Sequence, residues 1–251
     1  MFDFDNSVDI KMTRKKPLGH KSYGSIPHLP GSRQSRDDIG LSKEQSKICL
    51  SKTRDKHDHI VVLQKLDGSN CAIANIDGRL VPLTRGGLQA EFSRFETHRV
   101  FTKWFHKNKE LFEFLEPGER VCGEWMGQAV GTLYELKHDP FVAFDIMREG
   151  HERLTFQEMA DRVKHYLPIP QIISQGPPMS IDEAISLIDP SYHGAKEEVE
   201  GAVWRVERKG KVDFLTKYVR SCKIDGKYFP ELTGKDSIWH WHYDENKVYK
   251  F

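Results

Sequence analysis

The sequence predicts an α+β domain with largely antiparallel sheets flanked by helices, and two hairpins and two helix caps carry that reading. Residues 71–76 and 79–84 flank Asp77-Gly78, a dipeptide suited to the positive φ angles of a two-residue hairpin turn. Residues 201–207 and 212–219 flank Arg208-Lys-Gly-Lys211, a second hairpin. Between them, Thr155 is followed by Glu158 and Ser180 by Glu183, each a capping box ahead of apolar positions at helical spacing. The resulting order (strands, helix, strands, two helices, hairpin) does not alternate as a parallel α/β sheet would.

The remaining elements follow from hydrophobic spacing. Ile60-Val-Val-Leu63 is a short β-branched strand. Leu88, Phe92, Phe95, Phe101, Trp104 and Phe105 recur near helical spacing, which predicts one or two core-facing helices over 88–115. Residues 120–126 and 141–146 read as buried strands. Residues 1–59 differ in character, with 12 Lys and Arg against 8 Asp and Glu and no sustained periodicity. They are expected to form an irregular basic arm packed on a domain spanning 60–251. Two prolines in the run from Tyr23 to Arg33 favour an extended path there.

Composition narrows the function classes. A chain of 251 residues makes one large domain or two small ones, and 38 basic against 37 acidic residues exclude a uniformly basic coat. There is no run of 18 apolar residues and no apolar stretch behind the N-terminus, so a cytoplasmic protein without membrane contact is expected. Cysteines 49, 71, 122 and 222 are too dispersed for a zinc clip and read as reduced thiols. Ile-Trp-His-Trp-His at 238–242 and the pair His57/His59 lack the companion ligands of a zinc site.

The chemistry centres on Lys65-Leu-Asp-Gly-Ser-Asn70. A lysine at the end of an apolar strand, before a tight turn, is rigidly held. Its desolvation favours the neutral amine that a nucleophile needs, and Gly68 allows backbone to approach a phosphate. Taken alone, Lys65-Leu-Asp-Gly68 is a weak signal that also reads as a surface turn after a strand.

Ordered motifs downstream change the weighing. Thr84-Arg85-Gly86, Cys122-Gly-Glu124-Trp-Met-Gly127, Phe141-Val-Ala-Phe144-Asp145-Ile146, Glu200-Gly201-Ala-Val203 and Asp213-Phe-Leu-Thr-Lys217-Tyr-Val-Arg220 follow Lys65 in turn. The series resembles the covalent nucleotidyltransferase superfamily of ATP-dependent ligases and mRNA capping enzymes, most closely its RNA ligases. The resemblance covers 60–220 and implies an adenylyltransferase, ATP-grasp-like ligase fold. It implies an ATP-dependent ligase that joins 5′-phosphate and 3′-hydroxyl RNA ends through a lysyl-AMP intermediate on Lys65. Glu200 and Lys217 are then catalytic, and Glu200 is the ligand of Mg²⁺ or Mn²⁺. Gln64, Asp67, Asn70, Arg85, Glu124 and Phe144 join Lys65 and Lys217 in holding ATP, with Phe144 stacked on the base and Glu124 on the ribose. Charge agrees, because the attacked phosphate needs lysine, arginine and a divalent ion around it.

Two positions depart from the pattern. Gln64 stands where several relatives are acidic, and Val219 replaces a second lysine, with Arg220 the nearest substitute. The 31 residues after Arg220 are too few for an OB barrel, so no such C-terminal domain is expected. RNA ends, in a nick or otherwise, would then meet basic side chains among Arg33, Arg36, Lys52, Arg54, Lys209 and Lys211, with end-processing enzymes as further partners. A minimal DNA ligase, a nucleic-acid-binding pseudoenzyme and, more remotely, a capping enzyme are the competing readings.

Overall fold

The computed structural model describes residues 15–241. The first fourteen residues of the basic arm, and His242 of the Trp-His repeat, lie outside the described residues. The fold is α+β and consists of two four-stranded antiparallel sheets with helices packed against them.

The first sheet has the order β6-β1-β7-β8, formed by β6 (Ile172–Gly176), β1 (Asp58–Lys65), β7 (Gly201–Arg208) and β8 (Lys211–Val219). The second has the order β3-β2-β4-β5, formed by β3 (Arg79–Thr84), β2 (Ser69–Ile76), β4 (Arg120–Trp125) and β5 (Phe141–Met147). Both expected hairpins are present. At the first turn Asp77 and Gly78 take φ values of 50° and 83°, the left-handed pair that a two-residue hairpin needs.

Strand alternation divides the core. On β1, Ile60 and Val62 face α1 (Lys43–Leu50) and α4 (Ile181–Ser186), in a cluster with Trp204 and Leu29. Val61 and Leu63 face the other way, into a larger cluster that includes α2 (Glu96–Lys107) and α3 (Phe156–Val163). On β2, Cys71 and Ile73 belong to that larger cluster, while Ala72 and Ala74 pack on Tyr23. This period of two is what half-buried strands require.

The Thr155 cap forms in full, with Thr155 accepting from the Glu158 N–H and Glu158 accepting from the Thr155 N–H. Ser180 accepts from the Glu183 N–H and starts the shorter α4, but the Glu183 side chain does not return a bond, so the second expected capping box is only half formed.

Three expectations need correction. The one α-helix between 88 and 115 is α2, with 3₁₀ turns at Ala90–Phe92 and Lys109–Phe112 on either side, and of the six spaced apolar residues only Phe101, Trp104 and Phe105 enter the core. Leu88, Phe92 and Phe95 precede it and are 38%, 53% and 39% exposed. Residues 43–50, read as irregular, form α1, which Ser42 caps by accepting from the Gln45 N–H. Strand β6, bounded by Gly176, was not anticipated. The N-terminal segment does run extended: Leu29 donates to the Lys217 carbonyl at 2.8 Å, and the Lys217 N–H donates to that of Pro27 at 3.0 Å. It thereby covers the free edge of β8, where unpaired backbone groups would otherwise remain.

All four cysteines are free, and only Cys222 is exposed. Among the described residues no helix is long and apolar enough to cross a membrane. His240 has a structural role: its Nδ1 bonds the Met126 carbonyl at 2.8 Å, and its Nε2 accepts from the Tyr134 N–H at 3.1 Å.

Candidate active site

A cleft of about 950 Å³ opens between the two sheets, a size suited to a small-molecule ligand. Gln64, Lys65, Asn70, Arg85, Glu124, Phe144 and Lys217 all line it. The register explains how distant residues meet there. Lys65 ends β1 opposite Gly201, and Lys217 lies opposite Val203 on the far side of β7. Three adjacent strands thus bring Lys65, Glu200 and Lys217 to one corner.

Lys65 Nζ donates to Glu200 Oε2 at 2.5 Å and to the Leu66 carbonyl at 3.3 Å. Burial alone would lower its pKa, but the Glu200 and Glu124 carboxylates outweigh that and hold it above the ordinary lysine value. The expectation that desolvation leaves Lys65 neutral is therefore corrected: without substrate, two carboxylates keep it an ammonium. Burial pushes the Glu124 carboxyl up to about 7, with Glu200 adding and Lys65 opposing. Lys217 is held below its ordinary value, first by burial and then by the charge of Lys65.

Gly68 is required by packing inside the protein. A Cβ there would lie 2.5 Å from the Trp125 carbonyl, and its N–H donates to Glu124 Oε1 at 3.0 Å. The turn is thereby pressed against β4, which fixes the direction of Lys65. Asn70 lies opposite Glu124 in the ladder. The amide Oε1 and Nε2 of Gln64 and the Oδ1 of Asn70 are buried without a hydrogen-bond partner, a costly state for polar atoms that a bound ligand would relieve.

Phe144 is aimed by a β-bulge. Gly123 pairs with Ala143 and Cys122 with Asp145, so Phe144 is the extra residue. Phe144 and Asp145 both line the cleft, while Ala143 and Ile146 face the core. Tyr23 meets Phe144 edge-on, with ring centroids 5.2 Å apart. Arg85 stands exposed at the rim and donates to Ser25 Oγ at 3.0 Å.

Two residues fall elsewhere. Asp67 is not on the cleft wall; it is buried behind the turn and paired with Lys223. Arg220 reaches Glu198 at 3.3 Å, and its N–H donates to the Glu200 carbonyl at 3.0 Å. It braces the backbone there and adds no charge to the cleft. Of the basic candidates, Arg33 pairs with Asp225 and Arg54 with Asp58 and Asp213. Arg36, Lys52, Lys209 and Lys211 are exposed.

Several cleft residues were missed from sequence. Arg205 and Tyr23 converge on Asp145 at the cleft floor, and the β-branched run around Arg205 gave no sign that a buried charge sat within it. Leu88, Phe92 and Phe95 line the mouth, where the aromatic stripe had been assigned to core.

No group of three or more His, Cys, Asp or Glu among the described residues is placed to hold a metal alone. Glu124 and Glu200, the two carboxylates acting on Lys65, still fit a divalent ion that takes its other ligands from phosphates and water.

The two-sheet fold and the lysine–carboxylate cleft are those of a nucleotidyltransferase domain. The chain belongs to the RNA ligase family, whose model matches residues 58–219. A solved structure of the Naegleria gruberi RNA ligase with PPi is 19% identical and covers 86% of this chain and 62% of its own, with a TM-score of 0.54. A lysine mutant of that ligase, with ATP and Mn, is 18% identical over 77% of this chain and 59% of its own, at 0.53. An archaeal ATP-dependent RNA ligase is 24% identical over 77% of this chain and 48% of its own, at 0.47. The chain thus spans about half to three fifths of the length of these structures. No curated protein matches the sequence.

Proposed function

We propose that this protein is an ATP-dependent RNA ligase that works through a lysyl-AMP intermediate on Lys65. The observation that carries the reading is the contact of Lys65 Nζ with Glu200 at 2.5 Å, on the wall of a nucleotide-sized cleft. Support comes from membership of the RNA ligase family and from the ATP and Mn named with the Naegleria structure.

In this scheme the Lys65 ammonium first loses its proton to solvent, and its partner Glu200 stays a carboxylate. The Nζ lone pair attacks the α-phosphorus of ATP, a P–N bond forms, and the P–O bond to pyrophosphate breaks. Lys217 and Arg85 face the charge that shifts as pyrophosphate leaves. Phe144 offers a π-face to adenine, and the unpartnered Gln64 amide can both donate to and accept from its edge. Glu200 and Glu124 would hold the divalent ion, which supplies neutralisation of phosphate charge when bound. AMP then passes to an RNA 5′-phosphate, and a 3′-hydroxyl displaces it to seal the strand.

Incubation with labelled ATP or GTP and Mg²⁺ tests this reading. Acid-labile label from ATP should map to Lys65 and vanish in Lys65→Ala; label on another lysine would refute the assignment. Sealing should also depend on ribose at the 3′ end, since the 2′-hydroxyl marks RNA. Equal rates with all-DNA ends would favour a minimal DNA ligase.

A further inference from the structure

The Lys65 turn is held from behind by a residue outside the matched family segment. Asp67 and Lys223 form an ion pair in which each side chain is only 5% exposed. The same Asp67 oxygen accepts from the Gly131 N–H at 3.0 Å, and the Asp67 N–H donates to the Tyr134 hydroxyl at 3.3 Å. Lys223 lies four residues past Val219, where the family match ends. Its segment is anchored independently: the Tyr228 N–H donates to the Val130 carbonyl at 2.9 Å, and Lys227 and the Tyr228 hydroxyl bind Glu197 at 2.5 and 2.8 Å. Arg33 ties Asp225 at 2.6 Å.

We infer that Lys223 is a positioning residue for Lys65, acting through Asp67. This inference rests on the ligase reading above. Asp67 is two residues from Lys65 in a turn with no slack, because Gly68 is already pressed on the Trp125 carbonyl. A buried carboxylate deprived of its cation moves toward water or takes up a proton. Either change shifts the turn and draws Lys65 Nζ off its line toward the α-phosphorus, and small misplacements of a reacting group are expensive in rate. Neither Asp67 nor Lys223 lines the cleft, so nucleotide binding should change little. The segment after β8 therefore completes the site although it never touches the cleft.

Single-turnover adenylylation, measured across ATP concentrations well below the melting temperature, tests the proposal. Lys223→Met should lower the rate at saturating ATP by roughly 10-fold or more, the scale of a misplaced reacting group. Half-saturation by ATP should stay within about threefold, and Lys223→Arg should recover most of the rate. Asp67→Asn keeps the size of the side chain and remains available if Lys223→Met does not fold; it should show the same slow rate. The double variant should be no slower than either single one. A normal saturating rate in Lys223→Met or Asp67→Asn, with only the melting temperature lowered, would leave a purely structural pair and overturn the inference. If the wild-type chain takes no label, the ligase reading itself fails and this inference falls with it.

Discussion

Asp145 on β5 and Arg205 on β7 form an ion pair that joins the two sheets beneath the cleft, with side chains only 0% and 1% exposed. Asp145 also accepts from the Tyr23 hydroxyl at 2.8 Å and from Arg153 at 3.2 Å, while Arg205 donates to Glu207 at 2.6 Å and to the Leu154 carbonyl. Every partner is used, so the pair sets the spacing of the cleft walls.

Removing one charge should therefore be worse than removing both. Asp145→Asn takes one of its two carboxylates from the buried Arg205 guanidinium, leaving Glu207 alone to balance it, and strips Arg153 of the same partner, at a cost of up to about 3–5 kcal/mol. Joining it with Arg205→Met should cost less than the single change predicts. Urea unfolding midpoints measure both, and an unchanged midpoint for Asp145→Asn would contradict the account.

Phe144 and Phe141 separate a cleft-lining residue, the proposed contact for adenine, from a core residue on the same strand. Phe141 is fully buried among Phe101, Trp104 and Phe112, so Phe141→Ala should cost about 3–5 kcal/mol of stability. Phe144→Ala, at the bulge, should chiefly raise the KM for ATP, by about 1–3 kcal/mol of lost stacking. Thermal melting with and without ATP distinguishes them. Equal losses without ATP would place Phe144 in the core.

Glu124 gives the site a pH dependence. Burial sets its carboxyl at about 7, so it becomes an anion only as pH rises through that value. kcat/KM for adenylylation should climb through pH 7 and continue to climb as Lys65, held high by its carboxylates, loses its proton. Glu124→Gln should remove the inflection near 7. The stability sign is opposite: the folded value lies above the unfolded one, so the fold binds the proton more tightly. Stability present at low pH is lost as pH rises toward 7. Melting temperatures from pH 5 to 8 should fall less in Glu124→Gln than in the wild type.

The antiparallel class was legible because hairpin turns and caps are local: Asp77-Gly78 and Thr155 with Glu158 act within a few residues. The corner of Lys65, Glu200 and Lys217 was legible through an ordered series of motifs on three strands. Aromatic spacing misled at Leu88, Phe92 and Phe95, because periodicity cannot tell a core face from the mouth of a cleft. Asp67 was read as a nucleotide contact because its true partner, Lys223, is 156 residues away. The helix α1 escaped notice for a similar reason: its buried side chains are few (Ser46, Ile48 and Cys49), and tertiary packing on β1 sustains it.

The basic arm offers the last test. It was expected to grip RNA, yet Ser22, Tyr23, His28 and Leu29 are all buried. The Ser22 carbonyl accepts from Arg120 at 2.8 Å, Tyr23 binds Asp145, and residues 27–33 cap the edge of β8 beside Lys217. Deleting residues 1–36 removes a cleft wall and that edge together, so self-adenylylation and strand sealing should be lost in parallel. Leu29→Ala should reproduce part of this by opening a cavity against Trp204, at about 2–5 kcal/mol. Arg36→Glu with Lys52→Glu, both exposed, should leave adenylylation intact. Sealing by that double variant, followed against salt concentration, reports whether these side chains meet RNA: fewer phosphate contacts mean a shallower salt dependence. A 1–36 deletion that still adenylylates at the wild-type rate would show that the segment is not part of the ATP site.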